Sequence, residues 1–338
     1  MQNVHDFPKV KPSNDDTPVL CTSGLGRRFR IPQPWPAKPL TLDAVDDVTL
    51  SLAPGRTLGI VGESGCGKST LSRMLVGILP PSEGSLYVDG IDITTLRGER
   101  WREVMRDVQM VFQSPYTALN PRLTIGEIVR EPLDIHEAHL PKSERTARAA
   151  AMLERVGLNA GHASRYPYSL SGGQLQRVGI ARALVRPARV VVCDEPVSAL
   201  DVSVQAQVVN LLRELQDELK VSYVFVSHDL AVVANVSHDI VVMYMGRIVE
   251  SGVAADVLQS PRHPYTQALV DSANVPDPHA ERARKPRVLT GDLPSPTDPP
   301  SGCRFRTRCW MASDECARSV PALIQRSGAP QRVACHFA

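Results

Sequence analysis

Eight consecutive residues, Gly62-Glu63-Ser64-Gly65-Cys66-Gly67-Lys68-Ser69, fill the G-x-x-x-x-G-K-S pattern of a phosphate-binding loop. Its glycines let backbone N–H groups turn inward as an anion nest. The helix expected from Thr70 onward adds its positive end. Lys68 is placed to neutralise β- and γ-phosphate charge, and the Ser69 hydroxyl to ligate Mg²⁺. Cys66 takes a variable position of the loop and reads as a small filler, not a nucleophile. A second constellation ends the apolar run Val190-Val191-Val192-Cys193 with Asp194-Glu195. A buried strand closing on two carboxylates puts them at the carboxyl edge of a sheet, where open α/β sheets bind ligands. Asp194 would hold Mg²⁺ through its water shell, and Glu195 would orient or deprotonate an attacking water. Leu170-Ser171-Gly172-Gly173-Gln174 precedes a helical pattern, Ser198-Ala199-Leu200-Asp201 follows the carboxylates, and His228 stands just past the apolar run Tyr223–Val226.

A third group is late and different. Of seven cysteines, Cys303, Cys309, Cys316 and Cys335 fall in the last tenth of the chain. A cytosolic chain rarely keeps disulfides, so such a cluster reads first as a metal site. The gaps are five, six and eighteen residues. Structural zinc usually brings one tight C-x₂₋₄-C pair, which is missing here. Four widely spaced thiolates favour a [4Fe-4S] cluster, with zinc or plain reduced thiols as alternatives. Arg304, Arg306, Arg308 and Arg332 could offset the charge of an anionic cluster. The surrounding stretch is proline-rich and weakly periodic, so its own core looks too small to hold without a staple.

The elements that must position these groups follow from periodicity. Strand-like stretches lie near Val19–Phe29, Ala44–Leu52, Leu58–Val61, Val190–Cys193 and Tyr223–Val226. Helical patterns follow Lys68 and cover Ser143–Val156, Gln174–Leu184 and Ser203–Leu219, the last with Val204, Val208, Leu211, Leu212, Leu215 and Leu219 on one face. Apolar strands alternating with amphipathic helices predict a mostly parallel sheet covered by helices. Arg97–Arg106 reads as a solvated helix face, His238 as structural. Ile31–Pro39 is too rich in proline for helix or central strand and reads as a loop. Residues 1–18 look like a mobile tail, 19–260 like the nucleotide-binding domain, and proline frequency rises after Ser260, which sets off 261–338 as an extension.

Bulk properties exclude several classes. The 338 residues are 43% hydrophobic and 22% charged, so wholesale disorder is out. The net charge of +2, from 38 basic and 36 acidic side chains, offers no strong field for nucleic acid. No uncharged apolar run approaches the roughly 18–20 residues of a membrane-spanning helix. The first residues lack a basic start followed by an apolar stretch, so no signal peptide is expected and the chain reads as soluble and cytoplasmic.

With these motifs in this order, residues 19–260 resemble the ATP-binding-cassette (ABC) family. L-S-G-G-Q corresponds to the family signature, S-A-L-D to the D-loop, His228 to the switch histidine and Gln113 in V-F-Q-S-P to the Q-loop. The resemblance implies a P-loop ABC ATPase cassette, with a RecA-like core, an antiparallel β subdomain and a helical subdomain. It implies ATP as substrate with Mg²⁺ held by Ser69, Gln113 and Asp194, and Glu195, His228 and Gln113 as catalytic residues. It also implies an aromatic stacked on adenine, Phe29 or its rival Trp35. Ser171, Gly172, Gly173 and Gln174 are expected to cap the γ-phosphate bound by a partner cassette. Gln113–Glu131 is expected to sense the nucleotide and carry motion to a permease.

G-E-S-G-C-G-K-S-T, the segment His263-Pro264-Tyr265-Thr266 and the tail G-D-L-P-S-P-T-D-P-P-S-G-C-R-F-R-T-R-C resemble the oligopeptide, dipeptide and nickel importer ATPases. That group implies a paralogous ATPase subunit, two transmembrane permeases and an extracytoplasmic solute-binding protein as partners. It implies peripheral placement at the cytoplasmic face of the inner membrane and a metal site shared by such tails, without choosing the metal. Di- or oligopeptide import is the leading function, nickel or glutathione import the alternative. A nucleic-acid-handling ABC ATPase is the competitor from another class. Only 102 residues lie between Lys68 and Ser171, too few for the long insertions of such machines.

Overall fold

Short runs rich in Val, Leu and Ile form strands with both faces buried, and the strand before the phosphate loop sets the pattern. Thr57–Val61 is buried at every residue, as a strand covered by helices on both faces must be. The computed structural model describes residues 17–272, 289, 291–326 and 328–338. The mobile-tail reading of residues 1–16 therefore lies outside the described residues. By packing, the chain divides into two units.

One unit combines Leu20–Leu52, Thr57–Thr95 and Phe225–Ala338. It holds two sets of strands. In the antiparallel set, Leu20–Ile31 pairs with Leu40–Val48 on one side and Glu83–Val88 on the other. Arg28 faces Asp43 across the first pairing, with an ion pair of 2.6 Å. In the second set, Thr57–Val61 pairs in parallel with Asp239–Tyr244, placing Ile60 beside Val241. Asp239–Tyr244 turns back into the antiparallel strand Arg247–Val253. Two short strands of the extension, Arg332–Val333 and Ile324–Gln325, continue that edge. His238 accepts the Thr57 N–H at 3.0 Å through Nδ1.

The proline-rich extension is held by packing within this unit. Phe305 is 1% exposed. Its ring lies 5.2 Å from Tyr244, 5.5 Å from Tyr265 and 5.6 Å from His263, in edge-on and tilted arrangements that aromatic pairs favour. Arg304 donates to the Asp46 carboxylate and the Met245 carbonyl. The buried Glu250 carboxylate accepts the N–H groups of Arg262 and His263, both at 2.9 Å, ahead of the helix Pro264–Ser272. Burial keeps the imidazole of His263 neutral, with its pKa pushed down to about 3.

The other unit combines Ala53–Arg56 and Leu96–Val224. Its strands Val108–Val111 and Val190–Asp194 pair in parallel, Met110 beside Val192. Around them run the helices Gly98–Met105, Ile125–His136, Lys142–Arg155, Gly172–Leu184 and Val202–Leu219. Glu137 ties three of the segments together, accepting from Arg148 at 3.0 Å and Arg186 at 3.2 Å. The chain passes from this unit into the first within the fully buried strand Ser222–Ser227.

Candidate functional site

The P-loop occupies the link between Thr57–Val61 and the helix Lys68–Leu75. Two glycines make its course possible. Gly67, the N-cap, sits at φ +103°, and a Cβ there would lie 2.1 Å from the Ala44 carbonyl oxygen. Gly62 would press a Cβ to 2.2 Å from the Met243 carbonyl oxygen. Backbone therefore approaches backbone from two sides, and only glycine fits. The hairpin Met245-Gly246 seals a third side: the Gly246 N–H donates to the Cys66 carbonyl at 2.8 Å. Lys68 is 3% exposed, and its ammonium donates to the carbonyls of Gly62 at 2.7 Å and Glu63 at 3.0 Å. Cys66 is buried, and burial pushes its thiol pKa up, which suits a filler and not a nucleophile. Ser64 and Gly65 are exposed, Ser69 and Thr70 partly so. A narrow glycine-walled cradle carrying one buried ammonium fits a polyphosphate.

Glu63 is gripped from the far end of the chain. Both its carboxylate oxygens accept from Arg308, at 2.7 and 3.1 Å, and its N–H donates to the Tyr265 hydroxyl at 2.8 Å. Neither contact was expected from sequence. Tyr265 stood out there only within H-P-Y-T, and Arg308 only as one arginine among four beside the cysteines. In the same unit, His228 is exposed directly after Ser222–Ser227, before the helix Leu230–Val236 capped by Asp229. Phe29 is half-exposed in the strand Leu20–Ile31 with the Arg27 guanidinium 4.8 Å above its ring. Trp35 is 93% exposed.

In the other unit, Asp194 ends its strand at 3% exposure and Glu195 follows at 8%. Glu195 holds φ +46°, a left-handed conformation rare outside glycine and costly unless its surroundings enforce it. In the turn that follows, the Ser198 hydroxyl donates to the Glu195 carbonyl at 3.1 Å. Gln113 meets the same residue, its amide donating to Glu195 Oε2 at 2.9 Å. Two motifs 82 positions apart thus converge on one carboxylate. Ser171 and Gln174 close a reciprocal capping box on Gly172–Leu184, with Gln174 Oε1 accepting the Ser171 N–H at 3.0 Å. A Cβ on Gly173 would meet Val204 at 2.6 Å, and one on Gly172 would merely touch Leu200. Asp201 caps Val202–Leu219 by accepting from Val204 N–H at 2.9 Å. The signature thus presents a helix N-terminus, a favourable place for an anion.

The cysteine expectation is corrected. Among the described residues, no group of three or more His, Cys, Asp or Glu side chains could hold a metal ion. Neither an iron–sulfur cluster nor zinc is supported at Cys303, Cys309, Cys316 and Cys335. Burial raises the pKa of Cys303 to about 11 and also raises that of Cys309, which disfavours the thiolate a metal needs. Cys309 and Cys335 instead accept backbone N–H groups from Met311 and Phe337. The staple inferred from composition is not required, because Phe305 and Arg304 anchor the extension on the rest of its unit.

Residues 45–198 match the family described as ABC transporter, and residues 249–316 match the oligopeptide/dipeptide transporter C-terminal region. The chain is 47% identical over 326 residues to the oligopeptide transport ATP-binding protein OppF of Haemophilus influenzae, covering 96% of this chain and 98% of that one. It belongs to the ABC transporter family. Within the family it is also 52% identical over 285 residues to OppF of Salmonella typhimurium, spanning 84% of this chain and 85% of that one. The dipeptide transport ATP-binding protein DppF of Haemophilus influenzae is 46% identical over 313 residues, 93% of this chain and 95% of that one. The dimeric post-hydrolysis structure of the ATP-binding cassette MJ0796 bound to ADP and Pi matches with a TM-score of 0.63 and 29% identity, over 70% of this ABC chain and 98% of that one. The chain is an ABC ATPase. Among the described residues, no helix of this ABC ATPase is long and apolar enough to cross a membrane.

Proposed function

We propose that this chain hydrolyses ATP to power the import of di- or oligopeptides. The observation that carries the reading is the match of residues 249–316 to the C-terminal region of oligopeptide/dipeptide transporters. It comes beside a cassette whose P-loop and Glu195–Gln113 pair are complete. The names of its relatives support the same substrate class. The chain is then a cassette over 19–260 with an importer-type extension over 261–338. It docks at the cytoplasmic face of the membrane on two permeases, fed by a solute-binding protein and paired with a paralogous ATPase.

In this reading Gly62–Thr70 wraps the phosphates of ATP, and Lys68 swings its ammonium from loop carbonyls to phosphate oxygens. Phe29 stacks on adenine. Ser69 in one unit, and Gln113 and Asp194 in the other, are each candidates to hold Mg²⁺, which would neutralise developing phosphate charge. Glu195 accepts a proton from, or orients, the attacking water, with Gln113 steadying the carboxylate. His228 contacts the transferred phosphoryl group. Ser171, Gly172, Gly173 and Gln174 offer their helix N-terminus to the γ-phosphate on the paralogue.

The Q-loop segment carries the coupling to the permease. Thr117 and Asn120 are both exposed just beyond Gln113, Asn120 in a turn that accepts the Arg122 N–H at 3.0 Å. A cysteine at either position is expected to cross-link to a permease cysteine in the assembled importer, with a yield that changes when ATP is added. Failure of both positions to capture a permease across a panel of permease cysteines contradicts this surface.

A further inference from the structure

We infer that Arg308 is a positioning residue for nucleotide, acting through Glu63 as the counter-charge of the P-loop. The inference deepens the ATP-binding reading and rests on it. A phosphate cradle with a carboxylate at its second position is poorly matched to its ligand, since an unpaired Glu63 would repel the phosphates that Lys68 attracts. Arg308 answers that charge at both oxygens, at 2.7 and 3.1 Å. A bidentate fork also fixes the direction of the carboxylate, which a point charge cannot do. The Arg308 side chain is 8% exposed and that of Glu63 28%, so the pair is partly shielded from solvent and salt.

Three groups of Glu63 are engaged at once. Its carbonyl oxygen accepts from Lys68 at 3.0 Å, its N–H donates to Tyr265 and its carboxylate pairs with Arg308. Two of the three partners come from the C-terminal extension, and all lie in one unit. Arg308 is itself held in place. Phe305, three residues earlier, is locked in the aromatic knot, and the Arg308 guanidinium lies 6.0 Å from the Tyr244 ring centre. The extension is thereby part of the nucleotide site: it sets the electrostatics and the orientation of one P-loop residue without touching phosphate.

The test measures ATP binding to the full chain by displacement of a fluorescent ATP analogue, with Lys68→Ala as the reference. Arg308→Gln is expected to weaken ATP binding about tenfold, the scale of one lost charge-assisted interaction. Arg308→Lys, which keeps charge but not the fork, is expected to lose about threefold. Adding Glu63→Gln to Arg308→Gln is expected to recover most of the loss, because the uncompensated carboxylate has gone. A merely structural arginine would show no such rescue. Wild-type affinity in Arg308→Gln while Lys68→Ala has lost binding overturns the inference and leaves the ATP reading intact. So does a double variant as weak as Arg308→Gln alone. Should Arg308→Gln fail to fold, Arg308→Lys with and without Glu63→Gln carries the same comparison. ATP affinity undiminished in Lys68→Ala instead overturns the ATP reading itself.

Discussion

Glu195→Gln is expected to stop turnover and leave ATP bound. The two side chains are nearly isosteric, so the Gln113 contact at 2.9 Å and the Ser198 hydrogen bond to the residue's carbonyl survive the exchange. What disappears is the proton acceptor. A positioned general base contributes roughly 10²–10⁴-fold to a rate, so steady-state hydrolysis by the assembled importer should fall by at least about 10²-fold. Nucleotide affinity should stay within about threefold of wild type, about 0.7 kcal/mol, because in the proposed site the phosphates are cradled by Gly62–Thr70 and not by Glu195. Hydrolysis at the wild-type rate, with the paralogue's own site inactivated, contradicts the assignment.

Lys68→Ala is expected to fail one step earlier. The ammonium is 3% exposed and held by the carbonyls of Gly62 and Glu63. Its loss removes the one buried positive charge of the loop and deprives two carbonyls of their donor. Hydrogen bonds to charged groups are each worth about 1.5–3 kcal/mol. Two such contacts to phosphate oxygens correspond to an affinity loss of roughly 10²-fold or more. Equilibrium binding of ATP and ADP checks this, with circular dichroism confirming that the variant keeps the wild-type secondary-structure content. Affinity within a few-fold of wild type would contradict the reading of this loop as the ATP site. The contrast between the two variants is itself informative: one loses chemistry, the other binding.

The parts of this molecule that sequence discloses are those specified by contiguous residues. The P-loop, its strand and its helix announce themselves because glycine, lysine and apolar runs act on their immediate neighbours. The same holds for Val190–Asp194 and Val202–Leu219, where burial imposes an unbroken apolar run and a helical stripe. Three features were hidden, each for a physical reason. The helix Ile125–His136 contains Pro132, yet it forms because Thr124 and Glu127 cap it and Ile125, Ile128, Val129 and Leu133 are buried. The hairpin to Arg247–Val253 turns on Met245 and Gly246, both at positive φ, and methionine gives no sign of a left-handed turn. The Arg308–Glu63 pair joins residues 245 positions apart, a distance over which no local pattern speaks. The late cysteines misled in the opposite sense. Their clustering in sequence suggested a metal, whereas an aromatic knot and partly buried ion pairs hold that segment.

Uptake of a labelled oligopeptide by proteoliposomes tests the central claim most directly. The vesicles carry the two permeases, the paralogous ATPase and this chain, with the solute-binding protein on the opposite face. ATP supplied on the side of this chain should drive accumulation of peptide, and replacing the chain by its Lys68→Ala form should reduce uptake to the level seen without ATP. Peptide accumulation that proceeds equally well with the Lys68→Ala form, or without this chain, would contradict the account.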